Sequence, residues 1–295
     1  MKTMIAAWCL SFGLLTAGGE PVDGTELRPR ELKVLMIGNS FSICVGRQMP
    51  QVVASMGLKL DLASLYIGGC PLSIHWRNWA VGVTNVTLKP YRFDRYVDGR
   101  RIVENGKANI PDAVALADWD IVTFQQASYE SWRSDTYRPW ADDLQSAIRK
   151  HLPKAEFVWQ ETWSYCPFDG RLKQWKITSD EMYARLCAAY SDIASAKRQR
   201  QIPTGAAVDL FRRRLPVVYG PTSNGGDVVG SPVFENGAVK GDVCHLNRRG
   251  EYLQALVWTA KLFGVDVRTC PYKPDFVTAE EAALMKDVAM TTVER

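Results

Sequence analysis

Two short segments of this chain hold residue types that together can cleave an acyl bond. Gly38-Asn39-Ser40-Phe41-Ser42 follows the apolar run Val34-Leu35-Met36-Ile37, and Asp242-Val243-Cys244-His245-Leu246-Asn247 precedes a helix-like stretch beginning near Arg248. An apolar run ending in glycine reads as a buried strand and a tight turn, so the next side chains project from a sheet edge. A serine there, near the start of a helix, lies where backbone N–H groups favour developing negative charge. The same placement also suits a plain helix cap, and the segment alone does not separate the two. An Asp three residues before a His in a turn can bond one ring nitrogen, fix the tautomer and stabilise the imidazolium. The chain has three histidines. His151 closes a helix-like stretch beside Pro153 and His75 stands among aromatic residues, whereas His245 has a carboxylate close by in a loop. Ser40, His245 and Asp242 are therefore the candidate nucleophile, base and orienting acid.

The elements that must position them alternate. Residues 34–37, 60–67, 120–124 and 155–160 read as strands, with a weaker fifth strand near 205–208. Helical patterns fall at 49–56, 110–117, 138–151, 179–197 (capped by Ser179), 248–263 and 278–290. A βαβα order predicts a parallel sheet of about five strands covered by helices on both faces, a three-layer α/β/α sandwich. Ligands in such sheets bind at the C-terminal strand ends, where both segments fall. Two stretches break the alternation. Residues 91–106 carry Asp98-Gly99 and Asn105-Gly106 and predict an inserted hairpin. Residues 223–241 are Gly-rich and aperiodic, and read either as a mobile active-site loop or as a featureless surface loop.

A strand followed by Gly-x-Ser, with Asp-x-x-His before the last core helix, resembles the SGNH/GDSL hydrolase superfamily across residues 33–264. The resemblance implies a flavodoxin-like α/β fold and acyl transfer through Ser40, with His245 as base and Asp242 as its acid. Asn39 stands where the eponymous motif has Asp. Ile67-Gly68-Gly69-Cys70 resembles the second block of the family, which implies the Gly69 N–H as an oxyanion donor. The third block departs: Phe124-Gln125-Gln126-Ala127-Ser128 replaces Gly-x-Asn-Asp. Carbohydrate acetylesterase branches, with a Gln-Gly-Glu-type segment there, are more similar, which implies a glutamine amide as donor. Gln126 aligns better than Gln125, and the register stays open between them. The Gln-Gln pair with the Gly-Gly-Cys-x-Leu-x-x-His-Trp stretch looks most like a little-characterised bacterial SGNH-like family.

The chain has ten tryptophans, and Trp76, Trp79, Trp132 and Trp163 follow the candidate site strands. Flat aromatic faces suit sugar rings, although buried core positions use tryptophan too. His75 and Trp76 are the expected substrate contacts. The preferred substrate is a small-molecule or glycan ester, in particular O-acetyl groups on carbohydrate. A lipid-ester or thioester hydrolase is the alternative, disfavoured because no continuous apolar lid segment is visible. A non-catalytic glycan-binding descendant is the third reading, against which stand Ser40, Asp242 and His245 together. The chemistry needs no metal or cofactor, and no CxxC or His/Cys cluster suggests one.

Composition is ordinary for a globular chain: 295 residues, 46% hydrophobic and 23% charged. No Pro/Ser/Gly-rich linker divides it, so residues 30–295 are expected to form one domain. A net charge of +4 and short basic clusters at Lys197-Arg198-Gln199-Arg200 and Arg212-Arg213-Arg214 do not point to nucleic acid. Lys2, an apolar run over residues 4–15 and Thr16-Ala17-Gly18-Gly19 predict a signal peptide, residues 1–19. That run is too short to cross a bilayer, so no membrane span is expected and the chain should be secreted or periplasmic. Cys9 lies inside the run, which does not fit a lipid-modified N-terminus. Export permits disulfides among Cys44, Cys70, Cys166, Cys187, Cys244 and Cys270. Cys70 and Cys244 flank Gly69 and His245, so a Cys70–Cys244 bond would tie the two loops. Cys44 is the rival partner, and free thiols are the third possibility.

Overall fold

The computed structural model of the protein describes residues 29–215, 225–235 and 238–294. The signal-peptide expectation, residues 1–19, lies outside them. In chain order the first elements are β1 (Glu31–Gly38), α1 (Ser40–Ile43), α2 (Val45–Ser55), β2 (Lys59–Tyr66), α3 (Leu72–Thr84), β3 (Tyr91–Val97) and β4 (Arg100–Ala108). Then come α4 (Ile110–Ala115), β5 (Ile121–Phe124), α5 (Trp140–Arg149), β6 (Glu156–Gln160), α6 (Gly170–Trp175) and α7 (Ser179–Lys197). The last are β7 (Gln201–Ile202), α8 (Thr204–Arg214), β8 (Val229–Glu235), β9 (Ala238–Leu246), α9 (Arg248–Phe263) and α10 (Ala279–Val293).

Strands buried on both faces read as unbroken apolar runs, and the centre of the sheet shows this. Val34 and Leu35 of β1, Leu62 and Ala63 of β2, and Val122 of β5 are fully buried. The main sheet has seven strands in the order β4-β3-β2-β1-β5-β6-β7. β2, β1, β5, β6 and β7 run parallel, and β3 and β4 are antiparallel. Helices α2, α8, α9 and α10 pack among themselves, as do α3, α4 and α5, one layer on each face. This is the expected three-layer α/β/α sandwich, with more strands than the expected five.

The inserted hairpin accounts for part of the difference. It forms β3 and β4 and extends the sheet beyond β2, turning at Asp98-Gly99 with φ of 46° and 82°. Two successive positive φ angles are the geometry that a two-residue hairpin turn requires. Asn105-Gly106 is no second turn: it lies inside β4, beside the register shift at Phe93 and Arg95, where the Asn105 N–H donates to Asp94.

The expected strand at 205–208 is instead the first turn of α8, and the neighbouring strand is the short β7. The segment is buried because it packs on the chain after β6. A Cβ on Gly205 would lie 2.0 Å from the Thr162 carbonyl oxygen, so only glycine permits this approach. The cap of α7 is also one residue earlier than expected. Thr178 and Glu181 form a capping box, while the Ser179 hydroxyl donates to the Tyr165 carbonyl at 2.6 Å.

Most of the described part of the Gly-rich stretch at 223–241 is strand and not loop: 229–235 and 238–241 belong to the two-stranded sheet β8–β9, with positive φ at Gly230 and Gly241, while 225–228 form a turn and residues 223–224 and 236–237 lie outside the described residues. The base of this hairpin is anchored by Asp227, fully buried and paired with Arg212, and by Asn247 Nδ2, which donates to the carbonyls of Asp227 and Gly230. Arg213 and Arg214 pair with Asp209 and Asp287, so the basic cluster is an ion-pairing helix end.

Candidate active site

Ser40 follows β1 by two residues and opens α1, half-buried. The cap of this helix is Asn39, whose Oδ1 accepts the Phe41 N–H at 3.0 Å, so the serine hydroxyl is left for chemistry. The turn is tight: a Cβ on Gly38 would lie 2.3 Å from Ser42 Oγ. At the other end of the chain, β9 delivers Asp242 and His245, and Asn247 then caps α9. A Cβ on Gly250 would meet the Val228 carbonyl at 2.3 Å, so glycine lets α9 sit against the hairpin base and fixes where β9 ends.

The start of α1 and the end of β9 meet. His245 Nε2 lies 2.8 Å from Ser40 Oγ, and His245 Nδ1 lies 2.7 Å from Asp242 Oδ2. Asp242 Oδ1 accepts the N–H groups of Cys244 and His245, each at 2.9 Å. An ionised carboxylate can only accept, so Nδ1 carries the proton and Nε2 is the acceptor facing the serine hydroxyl. Burial alone would raise the Asp242 carboxyl. The hydrogen bonds from the His245 ring and from the two backbone N–H groups outweigh it and hold the carboxyl well below the usual range. In turn the Asp242 hydrogen bond, followed by the Cys244 sulfur, pushes the His245 imidazolium above the ordinary histidine range. An imidazolium formed by taking the serine proton is thereby stabilised.

Two aromatic residues that the sequence reading did not assign a site role hold this geometry. The Phe41 ring stacks on Trp163 at 4.2 Å and lies 5.4 Å from the His245 ring. Trp163 Nε1 donates to the Cys244 carbonyl at 2.8 Å, which fastens the histidine loop to the chain after β6. Phe41 is adjacent to Ser40 in sequence; Trp163, whose place after a site strand suggested a sugar face, is instead fully buried.

The Gly69 turn follows β2 with φ of 60°, and Asn39 Nδ2 ties it to the serine loop through the Cys70 carbonyl at 3.1 Å. Among the described residues, neither the Ser40 N–H nor the Gly69 N–H has a hydrogen-bond partner. Both remain able to receive an oxyanion. Tyr129, 38% exposed, lies beside Gly69: a Cβ there would be 3.9 Å from its ring. The sequence reading had not singled it out.

Three expectations are corrected here. Gln126 is fully buried and its amide is spent on the scaffold. Oε1 accepts the Leu72 N–H at 3.0 Å, and Nε2 donates to the Thr136 carbonyl and hydroxyl at 2.9 and 3.1 Å. With both amide protons committed, it has no donor for an oxyanion. Gln125 is buried too and gives Nε2 to Asn39 Oδ1. His75 is no substrate contact: it is fully buried, with Nδ1 2.8 Å from the Tyr91 hydroxyl, and burial pushes its pKa down to about 3. Trp76, half-buried, packs on the core beside it. Finally, Cys70 and Cys244 are free thiols. Their sulfurs turn to different histidines, Cys70 to His75 Nδ1 and Cys244 to His245 Nδ1, each at 3.6 Å. Cys44 is also free, with its sulfur 3.0 Å from Gln254 Oε1.

The corrected role of Gln126 has a measurable consequence. Gln126→Ala strands the buried N–H groups of Leu72 and Ala127 and the half-buried Thr136 carbonyl, at about 1–3 kcal/mol for each buried group left unpaired. The variant is expected to unfold at lower denaturant concentration while the folded fraction keeps most of its kcat. A loss of 10²–10³ in kcat with unchanged stability, the usual result of deleting an oxyanion donor, would restore the catalytic role.

Asp242, Cys244 and His245 also bring ligand-type atoms within 4.8 Å of one another, but the Asp242–His245 hydrogen bond engages two of the three. Of the other tryptophans, Trp79 is buried and Trp132 is half-buried, its ring 5.5 Å from Trp175. Among the described residues, no helix is long and apolar enough to cross a membrane.

None of the curated proteins compared matches this sequence. Among solved structures, the chain is similar to a DUF4886 family protein from Bacteroides uniformis, at 24% identity and a TM-score of 0.75, covering 90% of this chain and 95% of that one. It is also similar to a family 3 carbohydrate esterase from Clostridium thermocellum, at 11% identity and a TM-score of 0.42, covering 78% and 94%. A GDSL-like lipase from Bacteroides thetaiotaomicron is similar at 13% identity and a TM-score of 0.41, covering 77% and 86%. The family model described as a domain of unknown function, DUF4886, matches residues 33–292, and the chain belongs to that family.

Proposed function

We propose that this protein is an exported serine esterase of the SGNH type that removes small acyl groups, O-acetyl above all, from carbohydrate. The observation that carries the reading is the continuous relay Asp242–His245–Ser40, with contacts of 2.7 and 2.8 Å. In the first half-reaction the Ser40 proton passes to His245 Nε2 as Oγ attacks the ester carbonyl. The oxyanion is received by the N–H groups of Ser40 and Gly69, and the imidazolium returns its proton to the departing sugar hydroxyl. Water then gives a proton to His245 as it attacks the acyl-enzyme, and the imidazolium returns that proton to Ser40 Oγ as the C–Oγ bond breaks and the acid is freed. The signal-like residues 1–19 support export to the periplasm or the medium.

The preference for a small acyl group on a large alcohol rests on exposure. The side chains of His245 and Asp242 are 39% and 40% exposed, an open edge that a substituent on a polymer can reach. The exposed Tyr129 ring beside Gly69 offers a flat face for a sugar. The mature protein is expected to hydrolyse 4-nitrophenyl acetate and acetylated oligosaccharides, with kcat/KM falling steeply as the acyl chain lengthens. Preference for long acyl chains would favour the lipid-ester reading, and absence of turnover on every ester would favour the glycan-binding one.

A further inference from the structure

The residue before the nucleophile is committed on every side. Asn39 is 1% exposed. Its Oδ1 accepts from the Phe41 N–H at 3.0 Å and from Gln125 Nε2, and its Nδ2 donates to the Cys70 carbonyl at 3.1 Å. Its backbone carbonyl accepts the N–H groups of Ser42 and Ile43 at 3.1 and 3.2 Å. One side chain therefore joins three loops at the sheet edge: the Ser40 turn, the Gly69-Cys70 turn after β2 and the end of β5. The two N–H groups placed to receive an oxyanion belong to Ser40, just after Asn39, and to Gly69, just before the Cys70 carbonyl that Asn39 holds. The amide orientation is set by its partners, because a backbone N–H faces one end and a backbone carbonyl the other. Gly38 keeps the third partner close: a Cβ there would lie 3.2 Å from the Gln125 amide carbon.

We propose that Asn39 is a positioning residue that fixes the spacing of the two oxyanion donors, and that it must be an amide rather than a carboxylate. This rests on the reading of Ser40 as nucleophile. The Cys70 carbonyl has no proton to give, so only a donor can face it. An aspartate at this position satisfies the Phe41 and Gln125 donors with one oxygen but sets the other against the Cys70 oxygen. The resulting repulsion pushes the Gly69 turn away from Ser40. A carboxyl so buried has a raised pKa, and in its protonated form it donates to the Cys70 carbonyl as the amide does.

The test is kcat and KM for 4-nitrophenyl acetate across pH, measured on wild type, Asn39→Asp, Asn39→Ala, Gln125→Met and Ser40→Ala, each with its unfolding curve. Asn39→Asp should lose on the order of 10–100-fold in kcat at neutral pH, less than deletion of a donor, with KM within about twofold. Its deficit relative to wild type should shrink toward acid pH, whereas that of Asn39→Ala should stay constant. Gln125→Met removes one donor to Asn39 and should lower kcat by several-fold at unchanged KM. It carries the test if the Asn39 variants do not fold. Wild-type kcat in Asn39→Asp or in Gln125→Met, or a deficit in Asn39→Asp that does not change with pH, would overturn the proposal. An inert Ser40→Ala beside such a result would sink the clasp alone, whereas an active Ser40→Ala would sink the site reading beneath it.

Discussion

Ser40→Ala and His245→Ala are each expected to lower kcat by roughly 10⁴–10⁶, with the double variant little worse than either, because the two residues act as one unit. The 2.8 Å contact between Nε2 and Oγ means that neither group can do its part alone. Folding should survive. Asn39, not Ser40, caps the short helix, so the serine hydroxyl is free of structural duty. The thermal midpoint of Ser40→Ala should stay within a few degrees of wild type. His75→Ala is the informative contrast, since it opens the buried contact with Tyr91 and should cost stability rather than chemistry. Steady-state kinetics beside thermal unfolding decide the matter. An additive double variant, or a folded His75→Ala as inactive as His245→Ala, would contradict this assignment of the base.

Asp242→Asn should be the next most damaging change, by up to about 10⁴ in kcat, because it inverts the tautomer. The asparagine oxygen can keep the backbone N–H groups of Cys244 and His245, which leaves its NH₂ facing His245 Nδ1. Nδ1 must then accept, the ring proton moves to Nε2, and Ser40 meets a donor where it needs an acceptor. The pH profile adds a second signature. His245 must be neutral to take the serine proton, and Asp242 raises the pKa of its imidazolium. Wild-type kcat/KM should therefore climb along a limb lying above the ordinary histidine value of about 6.5. Loss of the carboxylate removes that stabilisation, so the limb of the residual activity should move toward lower pH. A limb that stays in place, or moves to higher pH, would mean that another group controls the rise.

The parts of the site that the sequence made legible are those written locally. A glycine at a strand end forces a turn, and the Asp three residues before the His, expected in a turn, instead lies with it on β9, where a register shift between Asp242 and Leu246 brings the carboxylate to the ring. The α/β alternation carried the layers in the same way. Misreadings came where long-range packing decides. The run at 205–208 is apolar because Gly205 sits on the Thr162 carbonyl, and burial of that kind looks the same in a helix as in a strand. Glycines at 230 and 241 suggested a loop, yet their positive φ angles lie within the paired strands β8 and β9. For the Gln125-Gln126 pair, Gln126 aligns better with the family block, but successive strand residues face opposite ways and the sequence does not fix the register. The structure commits both ends of the Gln126 amide, to Leu72 and Thr136, and turns Gln125 Nε2 to Asn39, while Gln125 Oε1 is buried without a partner among the described residues. The cysteine expectation was sound in placing both loops at one edge. It could not foresee that each sulfur lies against its own neighbouring histidine.

The central claim, that Ser40 is a serine made nucleophilic by His245, is tested most directly by labelling the mature protein with a fluorophosphonate and mapping the modified peptide. Ser40 should be the one residue modified, at a rate that collapses in His245→Ala while the fold is kept. Label on a different serine, or labelling of Ser40 that is as fast without His245 as with it, would contradict the claim.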